Sequence, residues 1–136
     1  MSIVLKAARN GDLETLQANK NLIADHVNIA IQSLVRQDQM TYITFWIALN
    51  PDKQLALEMY KIFTDSYTKV TAGSSAAYEN GMHYCGRAAI YGAIQSENIE
   101  LLELVKEYLV EFGVVYDEIK KTNSEILLQW FEENFS

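Results

Sequence analysis

The stretch Arg87-Ala-Ala-Ile-Tyr-Gly-Ala-Ile-Gln-Ser-Glu-Asn-Ile-Glu-Leu-Leu-Glu-Leu-Val105 decides the fold. Its apolar residues recur three and four apart, the period of a helix rather than of a strand. It predicts one helix over about Arg87–Gln95 and a longer one over about Asn98–Phe112. On a wheel of about 100° per residue, Leu101, Leu102, Val105, Tyr108, Leu109 and Phe112 share one sector of the second helix. Glu97, Glu100, Glu103, Glu107 and Glu111 share the sector beside it. Two helices this close in sequence must fold back on each other.

The same reading extends outward. Ser2–Arg9 is a helix with Ser2 as its cap and Gly11 just past its end. Asp12 caps a short second helix carrying Leu13 and Leu16. A helix over about Ala24–Val35 buries Val27, Ile31, Leu34 and Val35, and another runs from about Gln39 to Leu49. Asn50-Pro51-Asp52 starts the next helix, with Asn50 as cap and Pro51 in the first turn. Leu55, Met59, Ile62 and Phe63 line its face. A last helix, capped by Asn123 or Ser124, carries Ile126, Leu127, Trp130 and Phe131 and closes the preceding pair as a lid. With one proline and six glycines among 136 residues, the punctuation of a β-rich fold is missing. The expectation is one all-α domain, 1–136, of stacked helix-turn-helix pairs. The exception is 70–86, where small residues and Asn80-Gly81 predict a long loop.

Paired helices call for a search for repeats. Ile90-Tyr91, Ala93-Ile94, Leu101-Leu102 and Gly113 fall at the Leu-His, Ala-Ala, apolar-pair and closing-glycine positions of an ankyrin repeat, which this unit resembles. Ala7, Ala8 and Gly11 match the middle of a second unit, and Ala30–Met40 is a weak third. Ala88-Ala89 stand where that family has Thr-Pro, and Glu97 stands where it has the turn glycine. The resemblance implies an ankyrin-like short solenoid. It also implies a binding scaffold without chemistry of its own, whose partner lies against first helices and inter-repeat loops. That implication falls on the 70–86 segment, with Tyr78, Met82, His83 and Tyr84 as contacts; aromatic and Met side chains are common interface anchors.

Hydrophobic residues make up 49% and charged residues 21%, as in a folded globular chain. The formal net charge is −7, and it is unevenly spread. From Gln95 onward ten acids face three bases, which accounts for the whole excess. Such an end repels a phosphate backbone, so no direct nucleic-acid binding is expected. It suits a basic partner protein through Glu97, Glu100, Glu103, Glu107 and Glu111, or plain solubility.

Catalytic and metal chemistry finds little support. His26 and His83 are the only histidines and Cys85 the only thiol, too few for a zinc site. His83 and Cys85 sit two apart, a poor spacing for a dyad. Lys69–Ser75 lacks the Gly-Lys-Ser/Thr ending of a phosphate loop. Most aromatics (Tyr42, Phe45, Trp46, Tyr60, Phe63 and Trp130) fall on apolar stripes and read as core, while Tyr67 and Tyr78 flank polar sequence and read as surface. No cofactor is expected. Met1–Lys6 has no signal-peptide pattern. Met40–Leu49 is about half the ~20 residues that span a bilayer. With a lone cysteine, these features fit a cytoplasmic protein without membrane contact, as a monomer or homodimer. The function expected is a non-enzymatic protein-interaction module. The alternative is an acidic decoy of a nucleic-acid-binding protein.

Overall fold

The computed structural model describes residues 2–135. These form nine α-helices: α1 (Ile3–Asn10), α2 (Leu13–Ala18), α3 (Ile23–Gln32), α4 (Ile43–Leu49), α5 (Lys53–Val70), α6 (Ser75–Ser96), α7 (Ile99–Val105), α8 (Phe112–Thr122) and α9 (Glu125–Phe135). Short 3-10 turns sit at Lys20–Leu22, Gln39–Thr41 and Lys106–Tyr108, and no strand occurs among the described residues. No helix there is long and apolar enough to cross a membrane.

Four tight turns recur, between α1 and α2, α4 and α5, α6 and α7, and α8 and α9. Each ends in a polar residue whose side chain accepts the backbone N–H three residues on. The pairs are Asp12 with Thr15 (3.1 Å), Asp52 with Leu55 (3.1 Å), Asn98 with Leu101 (3.1 Å) and Ser124 with Leu127 (3.2 Å). Each satisfies an N–H that the first helical turn would otherwise leave unpaired. Three of the turns place a left-handed residue just before that cap: Gly11 (φ 67°), Glu97 (φ 54°) and Asn123 (φ 57°). Two share the same backbone closure. Gly11 and Asp12 donate to Ala8 and Ala7 (3.3 and 2.8 Å), as Glu97 and Asn98 donate to Ile94 and Ala93 (3.2 and 2.9 Å).

The first helices of these pairs pack on one another, α1 on α4, α4 on α6 and α6 on α8. The second helices do likewise, α2 on α5 and α5 on α7, and α3 lies against α1, α5 and α6. The most extensive of these contacts is α4 on α6. Ile43, Thr44, Phe45, Ile47 and Ala48 of α4 are all buried. Thr44 Oγ1 donates to the Cys85 carbonyl (2.6 Å), and Ser96 Oγ donates to the Ala48 carbonyl (2.7 Å). Between these ties, Gly92 lets the α4 backbone approach. A Cβ there would collide with the Phe45 carbonyl and stand 2.9 Å from Ala48 Cβ and 3.1 Å from the Leu49 nitrogen.

Several expectations need correction. The segment 70–86 is not a long loop. Only 71–74 separate α5 from α6, and Ser74 caps α6 by accepting from the Ala77 N–H (3.2 Å). Asn80-Gly81 lies inside that helix because Gly81 is a contact glycine. A Cβ on it would overlap the Tyr67 hydroxyl, and one on Gly86 would overlap the Tyr108 ring. Tyr67 is accordingly core, 2% exposed, not surface. Helix α3 ends at Gln32, since Ser33 Oγ takes the Ala30 carbonyl (2.8 Å) and Ser33 turns extended, leaving Leu34 and Val35 exposed. The helix expected over Gln39–Leu49 is broken at Tyr42, whose backbone is extended. Asp52, not Asn50, caps α5, and the Asn50 side chain accepts the Asp52 N–H (2.8 Å). The helix expected to Phe112 stops at Val105, and α8, unread in the sequence, follows with Gly113 in its first turn.

His26 joins α1, α3 and α4. Its Nε2 accepts the Ile43 N–H at the start of α4 (3.1 Å), which puts the ring proton on Nδ1, 3.5 Å from Ser2 Oγ. Ser2 Oγ itself caps α1 by accepting from Leu5 (3.2 Å). Burial lowers the His26 pKa to about 4.

Two outcomes follow for stability. Gly92→Ala meets backbone that cannot step aside and is expected to cost about 2 kcal/mol or more. Gly113→Ala, with nothing within 4 Å of its new methyl group, should gain up to about 1 kcal/mol by helix propensity. Urea denaturation of both variants checks the contrast. For His26, the unfolded chain takes up a proton near pH 6.5 and the folded chain only near 4. Stability therefore falls as pH drops from about 6.5 to about 4, by up to about 3 kcal/mol. His26→Gln keeps an acceptor for Ile43 and should flatten the denaturation midpoint across that window.

Candidate functional site

An open groove of about 440 Å³ runs beside α5, between it, α6 and the end of α7. Helix α5 supplies Leu57, Tyr60, Lys61 and Thr64 at its edge, the positions three and four apart that share a helix face. Helix α6 supplies Tyr78 and Met82, one turn apart. Leu104 on α7, with Glu107 and Tyr108 on the 3-10 turn that follows, closes the third side. Tyr108 reaches this place because Gly86 gives its ring room against α6.

The groove rests on stacked rings. Tyr60 and Phe63 lie 5.9 Å apart, Phe63 and Tyr67 5.6 Å, and Tyr67 and Tyr78 6.0 Å. Burial pushes the Tyr60 and Tyr108 hydroxyls well above their ordinary range. The Tyr78 hydroxyl and the Glu107 carboxylate beside Tyr108 push it further. These phenols stay neutral at physiological pH, so the groove offers O–H groups and apolar ring faces rather than a phenolate nucleophile. Tyr60, Tyr108, Leu57 and Leu104 line this groove, though the sequence reading missed them or assigned them to the core. The only signal was a tyrosine on an apolar stripe, which keeps a polar tip when its ring is buried.

The structure divides the expected contacts. Tyr78, Met82 and Glu107 come together in the groove, though Met82 is only 2% exposed and serves as its floor. His83 is exposed on another side of α6, edge-on to Tyr84 at 5.1 Å, and Tyr84 stacks on Tyr42 at 5.7 Å. The acidic row is broken up because α7 ends early. Glu97 and Glu100 are exposed at the turn into α7 and on its first turn. Glu103 accepts from Trp130 Nε1 (2.8 Å) and Lys106 Nζ (2.8 Å), which holds α9 against α7 and keeps its carboxyl below the ordinary range. Glu111 pairs with Arg87 and lines a separate cleft of about 280 Å³ with Phe45 and Tyr91.

Cys85 is fully buried, and burial holds its thiol well above the ordinary range, so it is not a reactive thiolate. His26 is engaged between helices, and no three His, Cys, Asp or Glu among the described residues gather so as to hold a metal ion.

Neither the curated proteins nor the solved structures contain a match to this sequence. A family of unknown function, DUF5903, matches residues 3–132, so nearly the whole chain, with all four helix pairs, belongs to that family.

Proposed function

We propose that this chain is a non-enzymatic protein-interaction module built of ankyrin-like helix pairs, and that the groove between α5, α6 and α7 holds its partner. The repeat reading draws support from the shared turns. Ala7-Ala8 and Ala93-Ile94, aligned through the resemblance, both supply the carbonyls that close a left-handed turn. Glu97, standing where the family has glycine, takes the left-handed backbone that glycine favours. First helices pack on first helices and second on second, as in a solenoid whose pairs bury their apolar faces on their neighbours.

The observation that carries the function is the groove itself. Three tyrosines, a methionine and two leucines surround a solvent-open concavity with few charges. Tyrosine buries a large rigid surface at small entropic cost and keeps a donor at its tip, which makes it a frequent anchor in interfaces. The neutral phenols and the encased thiol leave such a groove suited to holding a side chain rather than transforming it. It lies between the second helices α5 and α7 and the first helix α6, rather than on a face of first helices and inter-repeat loops alone, as the resemblance implies. A basic or neutral partner fits better than an acidic one, given the net charge of −7.

A photo-crosslinking amino acid in place of Tyr78, in cells that make the protein, should capture a discrete protein adduct. The same probe in place of the exposed Glu97 should not. Tyr78→Ala with Leu104→Ala should weaken the captured partner at least about tenfold, near 1.4 kcal/mol. Equal binding by the double variant would sink the groove reading.

A further inference from the structure

The opposite flank of α5 carries a second groove, of about 640 Å³, between that helix and α2. Its apolar floor is Leu13, Ala18 and Ile62, and Glu14, Glu58 and Asp65 stand at its sides. It is continuous with a neighbouring hollow of about 540 Å³ through Gln17, Ile62 and Asp65, and that hollow is edged by Lys20 and Lys69. Charge along this trough therefore changes sign. Carboxylates dominate beside Glu14 and Glu58, and ammonium groups dominate beside Lys20 and Lys69.

None of these side-chain charges has an ion-pair partner among the described residues, whereas Glu103, Glu111, Asp117 and Glu118 each pair with a Lys or Arg. Around this apolar surface Glu14, Glu58 and Asp65 outnumber Lys61, and the excess negative charge draws in cations. A bound segment that brings its own cations offsets that excess while covering Leu13 and Ile62. From Glu58 to Val70 the trough follows about 18 Å of α5, the length of about twelve residues of helix.

We propose that the α2–α5 trough docks a short amphipathic helical segment of a second protein. The segment carries Lys or Arg at the end that meets Glu14 and Glu58, and Asp or Glu at the end that meets Lys20 and Lys69. Apolar residues at i, i+4 and i+7 cover the floor, as in other helix-in-groove recognition. This site is separate from the tyrosine groove, and each stands without the other. Lys61 on the crest of α5 borders both.

The test uses the full-length protein and random displayed peptides of about 16 residues, long enough to span the trough as a helix. Enriched peptides are expected to be basic toward one end, with apolar residues at helical spacing. They should lose at least about tenfold in affinity for Glu14→Lys with Glu58→Lys, and bind Tyr78→Ala unchanged. Exchanging their basic residues for Glu should restore binding to the charge-reversed variant. Both changed positions are exposed, so the core is left untouched, and circular dichroism checks this. Failure to enrich any peptide overturns the proposal. So do enriched peptides without a basic end, or ones indifferent to the charge reversal. Peptides lost only on Tyr78→Ala overturn it too and speak for the tyrosine groove.

Discussion

The contact of α4 with α6 is the constraint on which the rest of this molecule depends. A seven-residue helix lies against a much longer one, closely enough that Gly92 has no room for a methyl group. Thr44 and Ser96 tie the two backbones at either end of the contact. Short helices have little intrinsic stability in water, so α4 exists because its faces are covered. Helix α1 and α5 cover what α6 does not, and the His26 ring takes one of the N–H groups that its start leaves open. The other pairs are then positioned from this centre outward.

What could be read in the sequence was local chemistry. Ser2, Gly11 and Asp12 announce the first hairpin, because caps and left-handed turns act within four residues of where they are written. Ser124 announces α9 in the same way. What could not be read was long-range. Gly81 and Gly86 look like turn residues, yet their small size serves Tyr67 and Tyr108, 14 residues before one and 22 after the other. The run from Asn98 to Phe112 keeps a helical period throughout, so nothing periodic marks the break after Val105. Tyr60 and Tyr108 read as core in the sequence because their rings fall on apolar stripes, and only the packing of α5, α6 and α7 brings them to the groove edge. Their role depends on which helices face each other.

The acidic stretch from Gln95 onward illustrates a related distinction. A wheel places Glu97 to Glu111 in one sector, but the fold spends those carboxylates separately. Glu103 holds α9, Glu111 holds Arg87, and Glu107 faces tyrosines. Net charge is a property of composition, and charge available to a partner is a property of pairing. By that measure the open carboxylates Glu14 and Glu58, in the neutral stretch before Gln95, weigh more than several in the acidic stretch after it.

Helix α6 spans 22 residues, about 33 Å, while its main partner α4 spans seven, about 10 Å. Its first turns, from Ser75 to Asn80, are largely exposed and are held against α5, where Tyr78 packs on Tyr67 and the Tyr67 hydroxyl donates to the Ala77 carbonyl (3.3 Å). Tyr78 rides on this stretch, so one wall of the tyrosine groove is tied to α5 through Tyr67 rather than through the α4–α6 contact.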